Sequence, residues 1–355
     1  MKSKEIIFVS NFLGNGGAAR VISVLAKELV ENGYDVTVCS YPFGKVQGGY
    51  DLGRAKHIQF KMTRERGALY KFERIIKLRR EIKKHPNATV ISFEYFMNMQ
   101  AIVALLGLKN RLIVSERNDP ARVGGQFPIK YLRNILYMFT DYLVCQTQDA
   151  LEYFPRVIQK KSVIIMNPIK DNLINPWIGK AEKEIVNFCR LEKQKNLGLL
   201  IDAFSIFYST NADYRLSIFG DGKERVEILQ YIKQKGLEKV VSVYPAINDI
   251  HDRVYKSMMF VSSSDYEGLS NSMIEAMAIG LPTICTDCPC GGARMIIENG
   301  VNGILVPVRN VDALARAMDM VANDEELRMR LKYEGLKVKM KLSTKEIVKE
   351  WERIL

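Results

Sequence analysis

The sequence lacks any apolar run long enough to cross a bilayer. Away from glycine its longest wholly apolar stretch is Ala101–Leu106, against the ~18–20 residues that a span needs. No signal-peptide pattern opens the chain, so a cytoplasmic protein is expected. Cysteine is sparse, six in 355 residues. Without a secretion signal these read as reduced thiols, and Cys39, Cys145, Cys189 and Cys285 sit in strand-like runs where a buried cysteine is a small apolar residue. Histidine is scarcer still. None of His57, His85 and His251 has a Ser or Cys beside it in a nucleophile motif, so a hydrolytic triad has no support. Cys285, Cys288 and Cys290 fall close together, but a structural zinc site wants a fourth ligand and the histidines are distant in sequence. No metal site is expected.

What the chain does have is core material: 47% of its residues are hydrophobic and 26% charged, which excludes a disordered tail. At ~100–200 residues per domain the length suggests two domains. The net charge of +12 sits entirely in the first half, since residues 1–168 hold 26 Lys+Arg against 14 Asp+Glu while residues 169–355 hold 26 against 26. Met62–His85 alone carries nine basic and three acidic residues, with Leu69, Phe72, Ile75, Ile76 and Ile82 close to helical spacing. This is the pattern of a basic amphipathic helix. Two readings stay open: a solvated helix with one core face, or a helix lying on an anionic membrane surface or gripping a polyanionic acceptor. Nucleic acid is not expected as a partner, because no binding motif accompanies the charge.

Along the chain, Glu5–Ser10 reads as a buried strand, Gly14-Asn15-Gly16-Gly17 as a turn, Ala18–Val30 as an amphipathic helix stopped by Gly33, and Val36–Ser40 as a second strand. Strands follow at Thr89–Ser92, Leu112–Ser115, Tyr142–Gln146 and Ser162–Met166. After the linker-like Pro168–Lys183 a second series begins, with strands near Ile185–Cys189, Tyr214–Phe219, Val240–Tyr244, Met259–Ser263, Thr283–Thr286 and Gly303–Val306. Helical patterns such as Asn196–Tyr208 and Glu224–Lys235 separate them. The fold class is therefore α/β, with two Rossmann-like doubly wound parallel-sheet domains facing a central cleft. The expected domains are 1–168 and 169–342, with a C-terminal helix in 343–355 returning to the first.

Three places carry chemistry. The turn Gly14-x-Gly16-Gly17 is a poor G-x-G-x-x-G, and the second strand ends in Tyr41-Pro42-Phe43 rather than an acid for a ribose, so a dehydrogenase is disfavoured. Glycines there let backbone amides approach a phosphate or sugar, or simply make a tight turn. In Asn187-Phe188-Cys189-Arg190-Leu191-Glu192-Lys193-Gln194-Lys195-Asn196 two cations flank a turn, and Arg190 with Lys195 can neutralise a diphosphate in place of a metal ion. Third, Glu267 and Glu275 stand eight apart across a strand–loop–helix junction, with Ser270 a plausible N-cap and the amides near Ser270–Ser272 aimed at any anion over the helix end. Carboxylates suit sugar and ribose hydroxyls because each offers two strong acceptors.

This junction resembles the E-x7-E motif of the retaining glycosyltransferases of family 4, which have the two-domain GT-B fold. Gly16-Gly17-Ala18-Ala19-Arg20 is similar to their G-G-A-E-R, with Ala19 in place of Glu. Arg190…Lys195-Asn196 resembles their R-x-x-x-x-K-N clamp, Phe219-Gly220-Asp221-Gly222 their G-x-G turn, and Thr286–Pro307 the segment that follows the glutamates. The resemblance implies that Arg190 and Lys195 hold the donor diphosphate, Glu275 the ribose, Glu267 the transferred sugar, and Leu269, Ser270 and Asn271 the donor at the helix start. Gly16 and Gly17 would line phosphate and sugar from the first domain, and the backbone around Ala246 and Ile247 would meet the base. The same resemblance implies a metal-independent reaction that needs no cofactor and retains anomeric configuration. The donor would be a UDP-sugar (hexose or N-acetylhexosamine), and the acceptor a polyprenyl-diphosphate-linked or other saccharide bound for a surface polysaccharide. The usual first-domain histidine is missing from Ser92–Asn98, where Glu94 is an acceptor candidate or a structural residue. Ser115-Glu116-Arg117-Asn118-Asp119-Pro120 resembles a stretch of enzymes that extend lipid-linked oligosaccharides, which makes Glu116, Arg117 and Asn118 further acceptor or donor candidates. The rival readings are a same-fold sugar-nucleotide epimerase and a non-catalytic sugar-nucleotide- or polysaccharide-binding protein.

Overall fold

The computed structural model describes residues 4–14, 16–42 and 49–355. Asn15 of the glycine turn and Phe43 at the end of the second strand lie outside the described residues. The chain divides into two compact units, Met1–Pro168 with Leu342–Leu355, and Ile169–Lys341.

The first unit runs β1 (Glu5–Val9), α1 (Gly17–Glu31), β2 (Asp35–Ser40), β3 (Lys56–Gln59), α2 (Ala68–Ile82), β4 (Thr89–Phe93), α3 (Tyr95–Leu105), β5 (Leu112–Ser115), α4 (Ile129–Tyr137), β6 (Tyr142–Cys145), α5 (Gln148–Glu152), α6 (Arg156–Gln159) and β7 (Ser162–Ile164). Its sheet has the order β3-β2-β1-β4-β5-β6-β7, and every pairing is parallel. The central strands β1, β4 and β5 are buried but for Glu5 at the start of β1, as sheets covered on both faces require. β3 had no counterpart in the sequence reading. Its Lys56-His57-Ile58-Gln59 stays largely exposed at the sheet edge, so it lacks the apolar run that marks the interior strands. The basic helix begins at Ala68, behind Gly67 at φ 92°, and not at Met62. Thr63, ahead of it, bonds Glu73 through both its amide and its hydroxyl, each at 2.9 Å.

The second unit runs β8 (Glu182–Phe188), α7 (Leu197–Tyr208), β9 (Arg215–Phe219), α8 (Arg225–Gln234), β10 (Val241–Tyr244), α9 (Ile250–Val254), β11 (Ser257–Ser262), α10 (Asn271–Ala278), β12 (Thr283–Thr286), β13 (Ile304–Val306), α11 (Val311–Asn323), α12 (Glu325–Leu336) and α13 (Val338–Lys341). Its all-parallel sheet has the order β10-β9-β8-β11-β12-β13. Leu200, Ile201, Phe204, Leu216, Ile218 and Met259 form the centre of its core.

The last helix, α14 (Thr344–Glu352), belongs to the first unit. It packs on α1, and its fully buried Trp351 stacks on Phe93 with ring centroids 5.9 Å apart. Ser343 caps it by accepting from the Glu346 amide, and Asn32 donates to Glu352 at 3.1 Å. An indole buried against the carboxyl end of β4 gives a short helix the apolar anchor it needs, because nine residues are too few to be helical alone.

Candidate active site

In a doubly wound sheet, ligands bind beyond the carboxyl ends of the strands at the point where strand order reverses. In the second unit that point lies between β8 and β11. The loop after β8 carries Arg190–Asn196 and the loop after β11 carries Ser263–Ser270, so topology brings the second and third sequence features together.

Lys195 and Glu267, 72 positions apart, form an ion pair with both side chains mostly buried. Burial by itself lowers the Lys195 pKa, but Glu267 outweighs it and holds the ammonium above its ordinary value of 10.5. Arg190 is exposed nearby and acts on Lys195 in the opposite sense, as a like charge. Glu267 also accepts from Ser264 Oγ at 2.8 Å and Gln194 Nε2 at 3.1 Å. The loops are sewn together around this pair. Gln194 Nε2 donates to the Tyr266 carbonyl at 2.8 Å, the Asp265 amide to the Gln194 carbonyl at 2.9 Å, Asn196 Nδ2 to Asp265 at 2.9 Å, and the Ser263 hydroxyl meets the carbonyls of Lys195 and Asn196. Asn196 sits in the left-handed region at φ 44° and caps α7, a conformation asparagine tolerates better than most residues. Sequence reasoning paired Lys195 with Arg190 and missed Gln194 as a partner of Glu267.

Two glycines seat these loops. A Cβ at Gly220 would lie 1.8 Å from the Cys189 carbonyl, and one at Gly292 1.8 Å from the Gly268 carbonyl. The Phe219–Gly222 turn therefore locks the Arg190 loop from one side, and Gly291-Gly292 the Glu267 loop from the other. Asp221 of that turn accepts from the Ala246 amide at 3.1 Å, which ties the Ala246–Ile247 loop to the same framework.

Ser270 caps α10 by accepting from the Met273 amide at 3.4 Å, with Asn271 the first helical residue and Leu269 buried beside it. Glu275, one turn on, is only 6% exposed and pairs with His251 Nε2 at 3.0 Å. His251 comes from α9 and lies edge-on to Phe188. Its role was not legible in the sequence, since 24 residues separate it from Glu275.

Cys285, Cys288 and Cys290 are buried and in no disulfide, and burial pushes Cys288 up to about 12. Among the described residues no group of three or more His, Cys, Asp or Glu side chains is placed to hold a metal ion.

In the first unit the strand order reverses between β1 and β4. Gly16 precedes α1, donating to Gly14, and a Cβ on it would meet nothing within 4 Å. Gly17 is the first residue of the helix. Beyond β4 stands Glu94, exposed and at φ 73°. A non-glycine residue held there costs ~1–3 kcal/mol, a strain that concentrates at functional sites.

The 116–118 candidates divide. Glu116, expected as a contact, is 3% exposed and accepts from Tyr137 at 2.5 Å. Burial raises its pKa against the pull of Arg133. Its carboxylate sits in the core of the first unit, bonded to the Tyr137 hydroxyl. Arg117 lies over the Phe93 ring at 4.3 Å and donates to Asn167 at 3.0 Å, and burial brings its pKa down to about 9. It braces β4 and α14, while Asn118 is half-buried and bonds the Asp119 amide at 2.8 Å.

Two family models match the chain: Glycosyltransferase Family 4 over residues 15–173 and Glycosyl transferases group 1 over residues 172–338. An α-1,4-N-acetyl-D-galactosaminyltransferase of Campylobacter jejuni, named for a diphospho-undecaprenol-linked saccharide, is 25% identical over 99% of this chain and 98% of its own. The amylovoran biosynthesis glycosyltransferase AmsD of Erwinia amylovora is 24% identical over 99% of both. Among solved structures, Anabaena HepE in complex with UDP and glucose superposes with a TM-score of 0.85, at 17% identity and 98% coverage of both chains. The fold is that of GT-B enzymes.

Proposed function

The chain belongs to glycosyltransferase family 4, and on that premise we propose that it moves a hexose or N-acetylhexosamine from a UDP-sugar to a lipid-diphosphate-linked saccharide in surface polysaccharide assembly, with retention and without a metal. The carrying observation is the Lys195–Glu267 pair at the β8/β11 reversal with Arg190 beside it. A leaving diphosphate needs fixed positive charge, and a guanidinium with an ammonium supplies it without an ion that must be recruited. Glu267 holds Lys195 in place before the donor arrives, and its oxygens then face the sugar hydroxyls. Glu275, oriented by His251, takes the ribose. Retention follows where the leaving phosphate oxygen removes the acceptor proton on the face it departs from. The first unit takes the acceptor, with the strained Glu94 beside its hydroxyls.

The relatives' names support the acceptor class and the setting: the Campylobacter enzyme acts on a polyprenyl-diphosphate saccharide and AmsD in amylovoran synthesis. HepE's complex with UDP supports the donor class. No helix among the described residues is long and apolar enough to cross a membrane. Contact with the inner, anionic leaflet would run through the basic segment 62–85, where Leu69 and Phe72 are exposed.

The test is thermal unfolding in EDTA with UDP, GDP, ADP and a panel of UDP-sugars, since a ligand of the folded state raises stability by RT ln(1 + [L]/Kd). UDP should raise Tm despite the chelator. No shift with any nucleotide would remove the donor assignment.

A further inference from the structure

Helix α4 is built inside out. The face turned to the core carries Arg133, fully buried and donating to the Pro120 and Val123 carbonyls at 3.0 and 3.2 Å, and Tyr137, whose hydroxyl meets Glu116. The face turned to solvent carries Tyr131, Leu132 and Ile135, and the turn after it Met138 and Phe139, between 48% and 60% exposed, with Phe127 just ahead at 83%. At 100° per residue Arg133 and Tyr137 lie on one side and Tyr131, Leu132 and Ile135 on the other. An ordinary surface helix has the reverse arrangement. Isolated exposed apolar residues need no explanation, but six within thirteen positions do.

Charge names the occupant. From Ala121 to Thr140 there is no acidic residue, and Arg122, on the loop ahead of α4, is exposed. α3 packs between α4 and α2. Its solvent side adds Val103 and Leu106, and α2 adds Leu69, Phe72 and the cations Lys71 and Arg80. Two copies meeting through this surface would oppose like charges. A bilayer with anionic headgroups takes both the apolar side chains and their basic rim. α4 follows the loop from the carboxyl end of β5, and Gly124 of that loop packs on Tyr95, next to Glu94.

We propose that the outward face of α4, led by Phe127, inserts into an anionic lipid surface, with α2 as its electrostatic flank. The inference deepens the transferase reading, because an acceptor on a lipid diphosphate is met at a membrane, and it rests on that reading only for its purpose. The experiment is co-sedimentation of the full chain with vesicles of phosphatidylglycerol and phosphatidylethanolamine, or of phosphatidylcholine alone, at 0.1 and 0.5 M NaCl. The proteins compared are wild type, a Leu132→Gln/Ile135→Gln/Phe139→Gln triple variant, and a Lys71→Gln/Arg80→Gln/Lys83→Gln variant of α2 and its C-terminal end. Wild type should bind the anionic vesicles and keep part of that binding at high salt. The α4 variant should lose at least ten-fold in affinity at both salts, and the α2 variant chiefly the salt-sensitive part. The three sites are exposed, so an unchanged Tm certifies the fold. Equal binding of wild type and the α4 variant overturns the proposal. So does a wild-type dimer by light scattering that the triple variant dissociates. The vesicles contain neither donor nor acceptor, and the UDP-induced Tm shift, read on the same proteins, reports separately on the transferase assignment.

Discussion

The Lys195–Glu267 pair can be tested by a double-mutant cycle. Lys195→Ala leaves a mostly buried carboxylate with two donors, Ser264 and Gln194. Breaking a fully buried pair costs ~3–5 kcal/mol. The carboxylate keeps two hydrogen bonds and is not wholly buried, which places the cost here below that range, at ~2–3 kcal/mol. Glu267→Gln keeps an acceptor for Ser264 but leaves Lys195 beside Arg190 without its counter-charge, at ~1–2 kcal/mol by the same figures. The double variant should fall short of the sum by ~1–2 kcal/mol, within the range for residues in contact. At ~2–4 °C per kcal/mol for a unit of this size, the single variants lie several degrees below wild type, well resolved by calorimetry. Binding separates the roles. Lys195→Ala should weaken UDP at least ten-fold, whereas Glu267→Gln should leave UDP affinity within about threefold, because removing a carboxylate near a diphosphate takes away repulsion, yet it should abolish most turnover. The pair's pH dependence has a definite sign. The folded pKa of Lys195 lies above its unfolded value, so its stabilisation is fully present below that unfolded value and is lost as pH rises through the folded pKa. Tm differences between wild type and Lys195→Ala should therefore stay constant from pH 6 to 9. Strict additivity of the two mutations, or wild-type UDP affinity in folded Lys195→Ala, would refute the pair and the clamp respectively.

Two further outcomes are expected. Glu94→Gly removes the left-handed strain at the end of β4 and should leave stability within ~1 kcal/mol of wild type or above it, while transfer to the acceptor falls at least ten-fold with UDP binding unchanged; full transfer activity would make Glu94 structural. Tyr137→Phe deletes the hydroxyl that donates to buried Glu116 and should cost ~1–3 kcal/mol in urea unfolding with no change in UDP affinity. A loss of UDP affinity in that variant would assign Glu116 to the ligand-binding groups.

The amino-acid sequence by itself determined the alternation of strands and helices and the three loops that carry chemistry. Apolar runs mark interior parallel strands because both sheet faces are covered, and helix ends are written in local residues such as Ser270 and Asn196. Even the charge reading was local, since Met62–His85 is basic wherever it packs. What only the tertiary structure decided is who meets whom. The parallel order that sets β8 beside β11 brings Lys195 and Gln194 to Glu267 across more than seventy residues, and His251 to Glu275 from another helix. It also turned Glu116 into the core and Tyr131, Ile135 and Phe139 out of it. Spacing along a chain specifies neighbours one turn or one pleat away. Which side of a helix faces the core, and which loops share a sheet edge, are settled by the packing of elements far apart in sequence.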